Sequence, residues 1–364
     1  MRKLWLAVLA VVAAGCLLAG CTVPLAVTRS EASSTISAAE PVELVAASWL
    51  SEASPPHVDM DPFEAILEDW MNTIEKETSG RVKFKFYPEG NLIKEADGWK
   101  AVKDGFCDVY LVLGVSYPDI FPRTSLMGLP DLFPNATIAS QVMQQMQEEG
   151  DIAAEWQDVK VLWHSATAPA DVGSTVGQIK TLEDWSNLKV AVVGEPETST
   201  VKALGAVPVE IPKTEQYLAL KNHLVDAAWL ELNGQLIFKF NEVVKYHTIC
   251  SGGVRTLNYV MNLKTYNSLP EDIRKIIDAN TGILWALKSG ELFDAAYLKA
   301  LDYLNQTESA VYTPSPSEFQ RWQQAWGPVK EESIAHLEAE GIDGRAIFDK
   351  IVRLSQDYSN HYFP

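Results

Sequence analysis

The sequence contains little cysteine and few basic residues for its length. Four cysteines occur in 364 residues, and Cys107 and Cys250, the two that lie beyond the amino-terminal region, do not form a CxxC pair. The 30 Lys and Arg are outnumbered by 48 Asp and Glu, for a formal net charge of −18. This acidity excludes binding to nucleic acid or to an anionic membrane through bulk charge. We expect the two cysteines to be buried free thiols.

The sequence also lacks the common motifs of catalysis and nucleotide binding. Its six histidines do not show the HExxH spacing of a zinc hydrolase, and it has no P-loop and no GxGxxG. Ser116 follows an apolar run in a G-V-S-Y stretch, but Pro118 stands where a nucleophile elbow needs glycine. The sequence therefore predicts no catalytic residues, no cofactor and no metal.

Long apolar runs are missing after the amino terminus. The chain begins with two basic residues, residues 4–20 are apolar, and small residues precede Cys21. This is the pattern of a lipoprotein signal peptide that is cleaved before a lipidated cysteine. We predict a signal peptide over residues 1–20, lipidation at Cys21 and a flexible tether over residues 21–41. The body is then exported and lipid-anchored, in the periplasm or on the outer face of the cell membrane.

The body of the chain alternates strand-like and helix-like segments. Residues 42–49 and 108–113 are apolar and strand-like, and Asp61 followed by proline is typical of a helix start. This β-α-β order recurs over residues 159–230, so we expect two α/β units with parallel strands. A capping box at residues 268–271 predicts one long helix that continues to about residue 305 and crosses both units.

Six segments, in this order and spacing, carry a family resemblance. They are SWLSEAS, SGRVKFKFYPEGNL, AVKDGFCDVYLVLG, LEDWSNLKVAVVG, ALGAVPVEIPKTEQYLALKNHLVDAAW and NLKTYNSLPEDIRKIID. Over residues 42–301 the chain resembles the extracytoplasmic solute receptors of TRAP transporters, the DctP-type family. The most specific match is Y-x-A-L-x-x-x-x-V-D-A at residues 217–227, together with the S-L-P-E-D helix start.

The resemblance implies an α/β, two-lobed fold like that of type II periplasmic binding proteins, with hinge strands and a long domain-spanning helix. Lobe I would comprise residues 42–167 and 256–295, and lobe II residues 168–255 and 296–364. The family captures a small-molecule solute in the interlobe cleft and delivers it to TRAP permease membrane subunits. The resemblance therefore implies a receptor and not an enzyme, without a cofactor, and monomeric by default.

One departure from the family bears on the ligand. In most members the strand matching residues 188–193 reads L-K-x-R, and the arginine pairs bidentately with a substrate carboxylate. Ala191 occupies that position here. We therefore predict a cationic or neutral ligand, because aromatic faces and carboxylates suit an ammonium group or a neutral ring. The other candidate ligand-binding residues are Trp49, Leu113, Tyr117, Trp163, Asp171, Glu195, Trp229 and Glu231.

Three alternatives remain open. Lys213, at a helix start, or Arg255, on a hinge strand, could replace the missing cation, and the protein would then be a conventional organic-acid receptor. A secreted lipoprotein enzyme of the α/β class is a second alternative, although no nucleophile–base or metal spacing supports it. The third is a structural lipoprotein whose cleft has lost its function.

Overall fold

The computed structural model describes residues 40–49 and 61–362, with side chains up to residue 360. The predicted signal peptide, Cys21 and nearly all of the predicted tether lie outside the described residues. None of the helices in the described part of the chain combines the length and the apolar character that crossing a membrane requires.

The strands form two sheets. The first sheet has the order β2-β1-β3-β10-β4, and the second has the order β11-β9-β5-β8-β6-β7. Their bounds are β1 Val42–Ala47, β2 Val82–Tyr87, β3 Val109–Leu113, β4 Val159–Ala166, β5 Val172–Ser174, β6 Lys189–Val192, β7 Val207–Glu210, β8 Ala227–Trp229, β9 Tyr246–Thr248, β10 Thr256–Asn262 and β11 Ala310–Tyr312.

Helices surround both sheets. Their bounds are α1 Pro62–Glu77, α2 Gly98–Asp104, α3 Pro122–Ser125, α4 Ala136–Glu148, α5 Glu195–Ala203, α6 Lys213–Lys221, α7 Leu232–Ile237, α8 Leu263–Ser268, α9 Glu271–Ala279, α10 Ile283–Asn305, α11 Pro316–Ala339 and α12 Gly344–Tyr362. The predicted β-α-β order in each half is confirmed, with β1, β2 and β3 parallel in the first sheet and β6 parallel to β7 and β8 in the second.

Local sequence rules explain where α1 begins. Asp61 is extended, its carboxylate accepts a hydrogen bond from the Phe63 amide at 2.9 Å, and Pro62 is the first helical residue. Proline is tolerated there because the first amides of a helix have no partner within the helix. The start predicted from the sequence is therefore confirmed.

The prediction of one continuous helix from residue 268 to residue 305 is wrong. The chain forms α9 and α10 with a break between them at Gly282, whose φ is +80° and whose amide donates to the Leu162 carbonyl at 2.8 Å. A positive φ suits glycine and ends a helix locally. Gly290 lies inside α10 and lets this helix approach α4 closely, since a Cβ there would lie 2.5 Å from the Thr137 Cα.

The two sheets form two lobes, which we name the first and second lobe after their sheets. They are joined by antiparallel segments at residues 167–170 and 252–255, where the Ala170 amide donates to the Gly253 carbonyl and the Thr167 amide to that of Arg255. Helix α10 contacts α4 and β4 of the first lobe and α7 and β11 of the second. It is the domain-spanning helix that was expected.

The carboxy-terminal helix joins the first lobe. Ile347, Ile351 and Leu354 of α12 are buried in the core cluster of the first sheet, and α12 contacts α4. The sequence prediction had placed residues 296–364 in the second lobe, and this last helix departs from that division. The other lobe boundaries remain predictions. Cys107 and Cys250 are buried free thiols, as expected.

Candidate functional site

A cavity of about 710 Å³ lies between the lobes at the carboxyl ends of the parallel strands. Trp49 follows β1, Gly90 follows β2 and Ser116 follows β3, while the second lobe contributes the ends of β6 and β7. Ligands of open α/β sheets bind at this edge. The full lining is Trp49, Glu89, Gly90, Lys94, Glu95, Ala96, Ser116, Val192, Val193, Gly194, Glu210, Ile211, Pro212, Thr214 and Glu215.

The first-lobe wall combines an aromatic ring with a carboxylate. Trp49 is 7% exposed, and its indole nitrogen has no hydrogen-bond partner among the described residues. The Glu95 carboxylate accepts from the Ser116 hydroxyl at 2.5 Å, and the Tyr117 hydroxyl donates to the Glu95 carbonyl at 2.6 Å. Burial raises the pKa of Glu95 above its ordinary value. Tyr117 is therefore a support for Glu95 at the edge of the cavity.

Four charged side chains form a buried cluster behind this cavity, which we call the charge cluster: Glu197, Lys213, Glu231 and Arg255. The Lys213 Nζ donates to Glu197 at 3.0 Å and to the Trp229 carbonyl at 2.8 Å. The Arg255 Nη2 donates to both carboxylate oxygens of Glu231, at 2.7 and 2.5 Å. The Glu197 carboxylate also accepts from the amide of Val193, which lines the cavity, at 2.7 Å, so the cluster lies directly behind the cavity wall.

The charge cluster is balanced but not fully hydrogen-bonded. The Arg255 Nη1 lies 3.7 Å from the Glu197 Oε1, and neither atom has a hydrogen-bond partner among the described residues. Burial lowers the pKa of Lys213, and the neighbouring Arg255 lowers it further, whereas Glu197 opposes the shift. Both cations that the sequence offered as replacements for the missing arginine point inward. Both are already paired with a glutamate of the same protein.

Two buried aspartates lie near Glu231. Asp61 caps α1, and burial raises its pKa to about 7. Asp171 accepts from the Cys250 amide and from the Tyr297 hydroxyl, both at 2.8 Å, and burial likewise raises its pKa to about 7. The negative charge of Glu231 adds to both shifts. Asp171 thus ties the hinge to α10 and is not among the described residues that line the cavity.

Ala191 does not face the cavity. It is fully buried in an apolar cluster with Ala219 and Leu220 of α6 and Ala228 of β8. Its neighbours on the strand, Val190 and Val192, point to the opposite face of the sheet, because strand side chains alternate. A charged side chain at position 191 would start among apolar atoms, which is costly without a partner.

Three other predicted ligand contacts belong to the cores. The Trp163 ring stacks on Tyr259 at 4.2 Å between ring centres, and Leu113 pairs with Leu257 inside the first sheet. The Trp229 ring packs beside Trp185 in the second lobe. These side chains are at most 1% exposed, so we leave their side chains out of the site. Trp229 contributes only its carbonyl, through Lys213.

Glu195 lines a different cavity. Glu195 is exposed, accepts from the Ser199 hydroxyl, and borders a space of about 440 Å³ between α5, α11 and residues 118–129. Two residues further on, Glu197 points into the charge cluster, because successive helical residues turn by about 100° and positions two apart face opposite ways. The predicted residue Glu195 therefore lies away from the interlobe cavity, and Glu197 of the same helix lies in the charge cluster.

Sequence reasoning missed Glu95, Glu197 and Asp61 as site residues. Glu197 had a usable signal, since it lies in the first turn of a helix that follows a buried strand. Asp61 was assigned correctly as a helix cap, but its nearness to Glu231 depends on how the lobes pack. Glu95 is the first residue of a three-residue 3-10 helix, which is too short to show a periodic pattern. Among the described residues, no group of His, Cys, Asp and Glu could hold a metal ion.

Known proteins that are similar to this chain in sequence or in fold include bacterial solute-binding proteins. Residues 57–336 match the family model described as bacterial extracellular solute-binding protein, family 7 (DctP). The chain is 24% identical over 293 residues to the C4-dicarboxylate-binding periplasmic protein DctP of Rhodobacter capsulatus, covering 74% of this chain and 81% of that protein. It is 22% identical to the 2,3-diketo-L-gulonate-binding periplasmic protein YiaO of Escherichia coli, covering 62% and 68%. Several curated matches span only about two thirds of the relative's length.

Solved structures share the fold over nearly their whole length. A TRAP solute-binding protein from Rhodoferax ferrireducens, in complex with copurified benzoate, superposes with a TM-score of 0.82 at 24% identity, covering 88% of this chain and 99% of that one. A TRAP periplasmic solute-binding protein from Bordetella bronchiseptica, with bound (R)- and (S)-mandelate, superposes with a TM-score of 0.78 at 25% identity, covering 87% and 100%.

Proposed function

Because the chain belongs to the bacterial extracellular solute-binding proteins of family 7, the DctP family, we propose that it is a TRAP receptor whose interlobe cavity takes an amine or a neutral small molecule. TRAP receptors of this family are extracytoplasmic and work with membrane permease subunits. The receptor is anchored through lipid at Cys21, is monomeric, and releases its ligand unchanged, so it is not an enzyme. These finer points are proposals.

The balance of charge at the site carries the ligand proposal. Both inward cations, Lys213 and Arg255, are already paired with Glu197 and Glu231. Glu95 faces the cavity and forms no ion pair among the described residues. A ligand carboxylate placed there would be buried beside carboxylates, whereas an ammonium group would meet Glu95 and the face of Trp49. A cation over an aromatic face gains about 0.5–2 kcal/mol.

The charges around the rim of the cavity also favour an amine over an organic acid. Glu89, Glu210 and Glu215 line its rim against the single lysine Lys94. These rim glutamates are exposed and therefore screened by salt, so they act mainly on the rate at which a charged ligand arrives. An amine is attracted by this rim and an organic acid is repelled.

An organic-acid receptor is the second candidate, and one observation favours it. The Arg255 Nη1 is buried without a hydrogen-bond partner, which leaves a donor that a ligand carboxylate could use. The structural relatives named above hold benzoate and mandelate, which are aromatic acids. This candidate requires that a ligand carboxylate be accommodated next to Glu197 and Glu231.

A matched set of probes separates the two candidates. Benzylamine, benzyl alcohol and benzoate have similar rings and differ in charge. We expect benzylamine or benzyl alcohol to raise the melting temperature of purified, ligand-depleted protein, and benzoate to have no effect. A ligand at a hundred times its dissociation constant adds about 2.7 kcal/mol to the free energy of unfolding. A shift with benzoate alone would exclude the amine proposal and support the acid.

The same experiment addresses catalysis. Each compound that shifts the melting temperature is incubated with the protein and recovered for mass spectrometry. We expect every compound to be recovered unchanged. A converted product would contradict the receptor assignment and support an enzyme of the α/β class.

A further inference from the structure

The contact between Arg255 and Glu231 resembles the contact that a receptor makes with a bound acid ligand. The Glu231 carboxylate presents both oxygens to the Arg255 Nη2, and the two side chains are 5% exposed or less. Proteins commonly bind acid ligands by pairing a carboxylate with a guanidinium, although here both oxygens share Nη2 and the two-nitrogen fork is not formed. Here the carboxylate comes from the protein itself.

The fold fixes Glu231 in this position. Glu231 caps α7 directly after β8, and Gly234 leaves room for its side chain to lie over the first turn of that helix. A Cβ at Gly234 would lie 2.8 Å from the Glu231 Oε1 and 2.9 Å from the Leu230 Cγ. Any other residue at position 234 would therefore displace the carboxylate. The position of Glu231 therefore depends on glycine at position 234.

The backbone of Arg255 is also fixed by hydrogen bonds. It lies in the hinge, where its amide donates to the Thr167 hydroxyl at 3.1 Å and its carbonyl accepts from the Thr167 amide at 3.0 Å. Its guanidinium thus projects from the segment that joins the two lobes. A carboxylate that pairs with Arg255 is bound at the hinge, next to the wall of the cavity.

We propose that Glu231 determines the charge specificity of the receptor, because its carboxylate occupies the Arg255 Nη2, a donor that an acid ligand would otherwise take. This inference deepens the proposed function and rests on it for the location of the ligand. An acid ligand would have to displace Glu231, or bring a further negative charge next to Glu231 and Glu197. Both cost free energy in a buried site, where unpaired charges are poorly solvated.

Chemical rescue tests this proposal directly. In Glu231→Ala the carboxylate is removed, Arg255 is left buried and unpaired, and a space remains that a small acid can fill. We expect the variant to melt at a lower temperature than the wild type. Acetate, propionate and benzoate should then raise its melting temperature by several degrees in a saturable way, and chloride at equal ionic strength should not. The wild type should show no such rise.

Two controls define what the rescue means. The double variant Glu231→Ala/Arg255→Met lacks the cation, so its melting temperature should no longer respond to acetate. Glu242→Ala removes an exposed acid of the same lobe and should respond as the wild type does. An equal response of the wild type and Glu231→Ala to carboxylates, or no response of either, would overturn the proposal. So would a rescue that survives the loss of Arg255.

A second variant serves if Glu231→Ala does not fold. Glu231→Gln keeps the shape of the side chain and removes its charge, so we expect at least tenfold tighter binding of benzoate than in the wild type. An unchanged benzoate affinity would count against the proposal. The result for Glu231 can be distinguished from the result for the ligand proposal. If benzylamine fails to bind the wild type but acetate rescues Glu231→Ala, the role of Glu231 stands and the amine assignment fails.

Discussion

Two enclosed regions of this molecule are built from opposite kinds of side chain. In the first lobe, Trp70, Trp163, Tyr259 and Trp285 pack with ring centres 4.2–6.0 Å apart. Behind the cavity, the charge cluster is almost equally buried. Apolar contacts add up over the area that they cover, and each loss costs mainly its own share. Buried charges depend on one another, because removing one leaves its partner uncompensated. The comparison teaches that burial alone does not distinguish a core from a site.

The largest expected effect comes from the aromatic region. Trp163→Ala should lower the free energy of unfolding by about 4 kcal/mol, because a large buried ring leaves a cavity. Urea denaturation measures this, and Trp163→Phe, which keeps most of the contacts, should lose clearly less. The dissociation constant for benzylamine should stay within about twofold, corresponding to about 0.4 kcal/mol. A large loss of affinity would indicate that Trp163 contacts the ligand, and the aromatic region would then be part of the site.

The charge cluster should respond to single and double substitutions in opposite ways. Lys213→Met should cost about 3 kcal/mol of stability, because Glu197 is left buried without its nearer cation. The double variant Lys213→Met/Glu197→Leu should recover a large part of this loss, since no unpaired charge remains. A double-mutant cycle from denaturation curves gives the coupling free energy. If the two single losses simply add, the cluster behaves like the aromatic region and the comparison fails.

An effect that is smaller per pH unit should appear as a pH dependence of the stability. The pKa of Asp171 is about 7 in the folded protein, against an ordinary value of 3.8. Between these values the folded state holds a proton that the unfolded chain has lost, so this contribution to stability falls as the pH rises from about 4 to about 7. The slope is up to about 1.4 kcal/mol per pH unit.

Asp171→Asn tests this contribution, because the amide keeps an oxygen acceptor and cannot titrate. The stability of the wild type relative to this variant should fall across the same pH range and then level off. Asp61→Asn provides a parallel test at the cap of α1, where burial also raises the pKa to about 7. Wild-type and variant curves that run parallel from pH 4 to pH 7 would show that Asp171 is charged throughout.

The smallest expected effect concerns the wall of the cavity. Trp49→Leu should weaken benzylamine binding by about 1 kcal/mol, about fivefold, because an apolar side chain replaces the aromatic face. Isothermal titration calorimetry measures the change, and benzyl alcohol serves as the uncharged comparison, with a smaller loss expected. An equal loss for the two probes would indicate that Trp49 contributes apolar area alone.

The sequence predicted the parts of this molecule that depend on local pattern. The cap at Asp61 and the strand that ends near Gly194 both follow from neighbouring residues. The site was predicted only in part, because the meeting of Glu231 with Arg255 joins positions 24 residues apart through the hinge. Trp163 packs in the core, although its position on a strand is equally compatible with a ligand contact. A tryptophan on a strand has the same local pattern whether it faces a ligand or other rings.

The break at Gly282 also depends on a contact that the local sequence does not reveal. Glycine costs a helix only about 1 kcal/mol, so the composition of residues 271–305 permits a continuous helix. The Leu162 carbonyl accepts a hydrogen bond from the Gly282 amide, and this distant contact fixes the turn. Pattern determines where a helix is favourable, and tertiary contacts determine where it ends.

The position of β10 has a consequence for export. This strand lies between β3 and β4 and pairs with both, yet it is made from residues 256–262. The first sheet therefore cannot be completed until that strand has crossed the membrane. The strands β5 to β9 of the second sheet are contiguous in the chain and are available earlier. In a chain that emerges amino terminus first, β5 to β9 are therefore present before β10 can fill the gap between β3 and β4, and the edge strand β11 of the second sheet follows last.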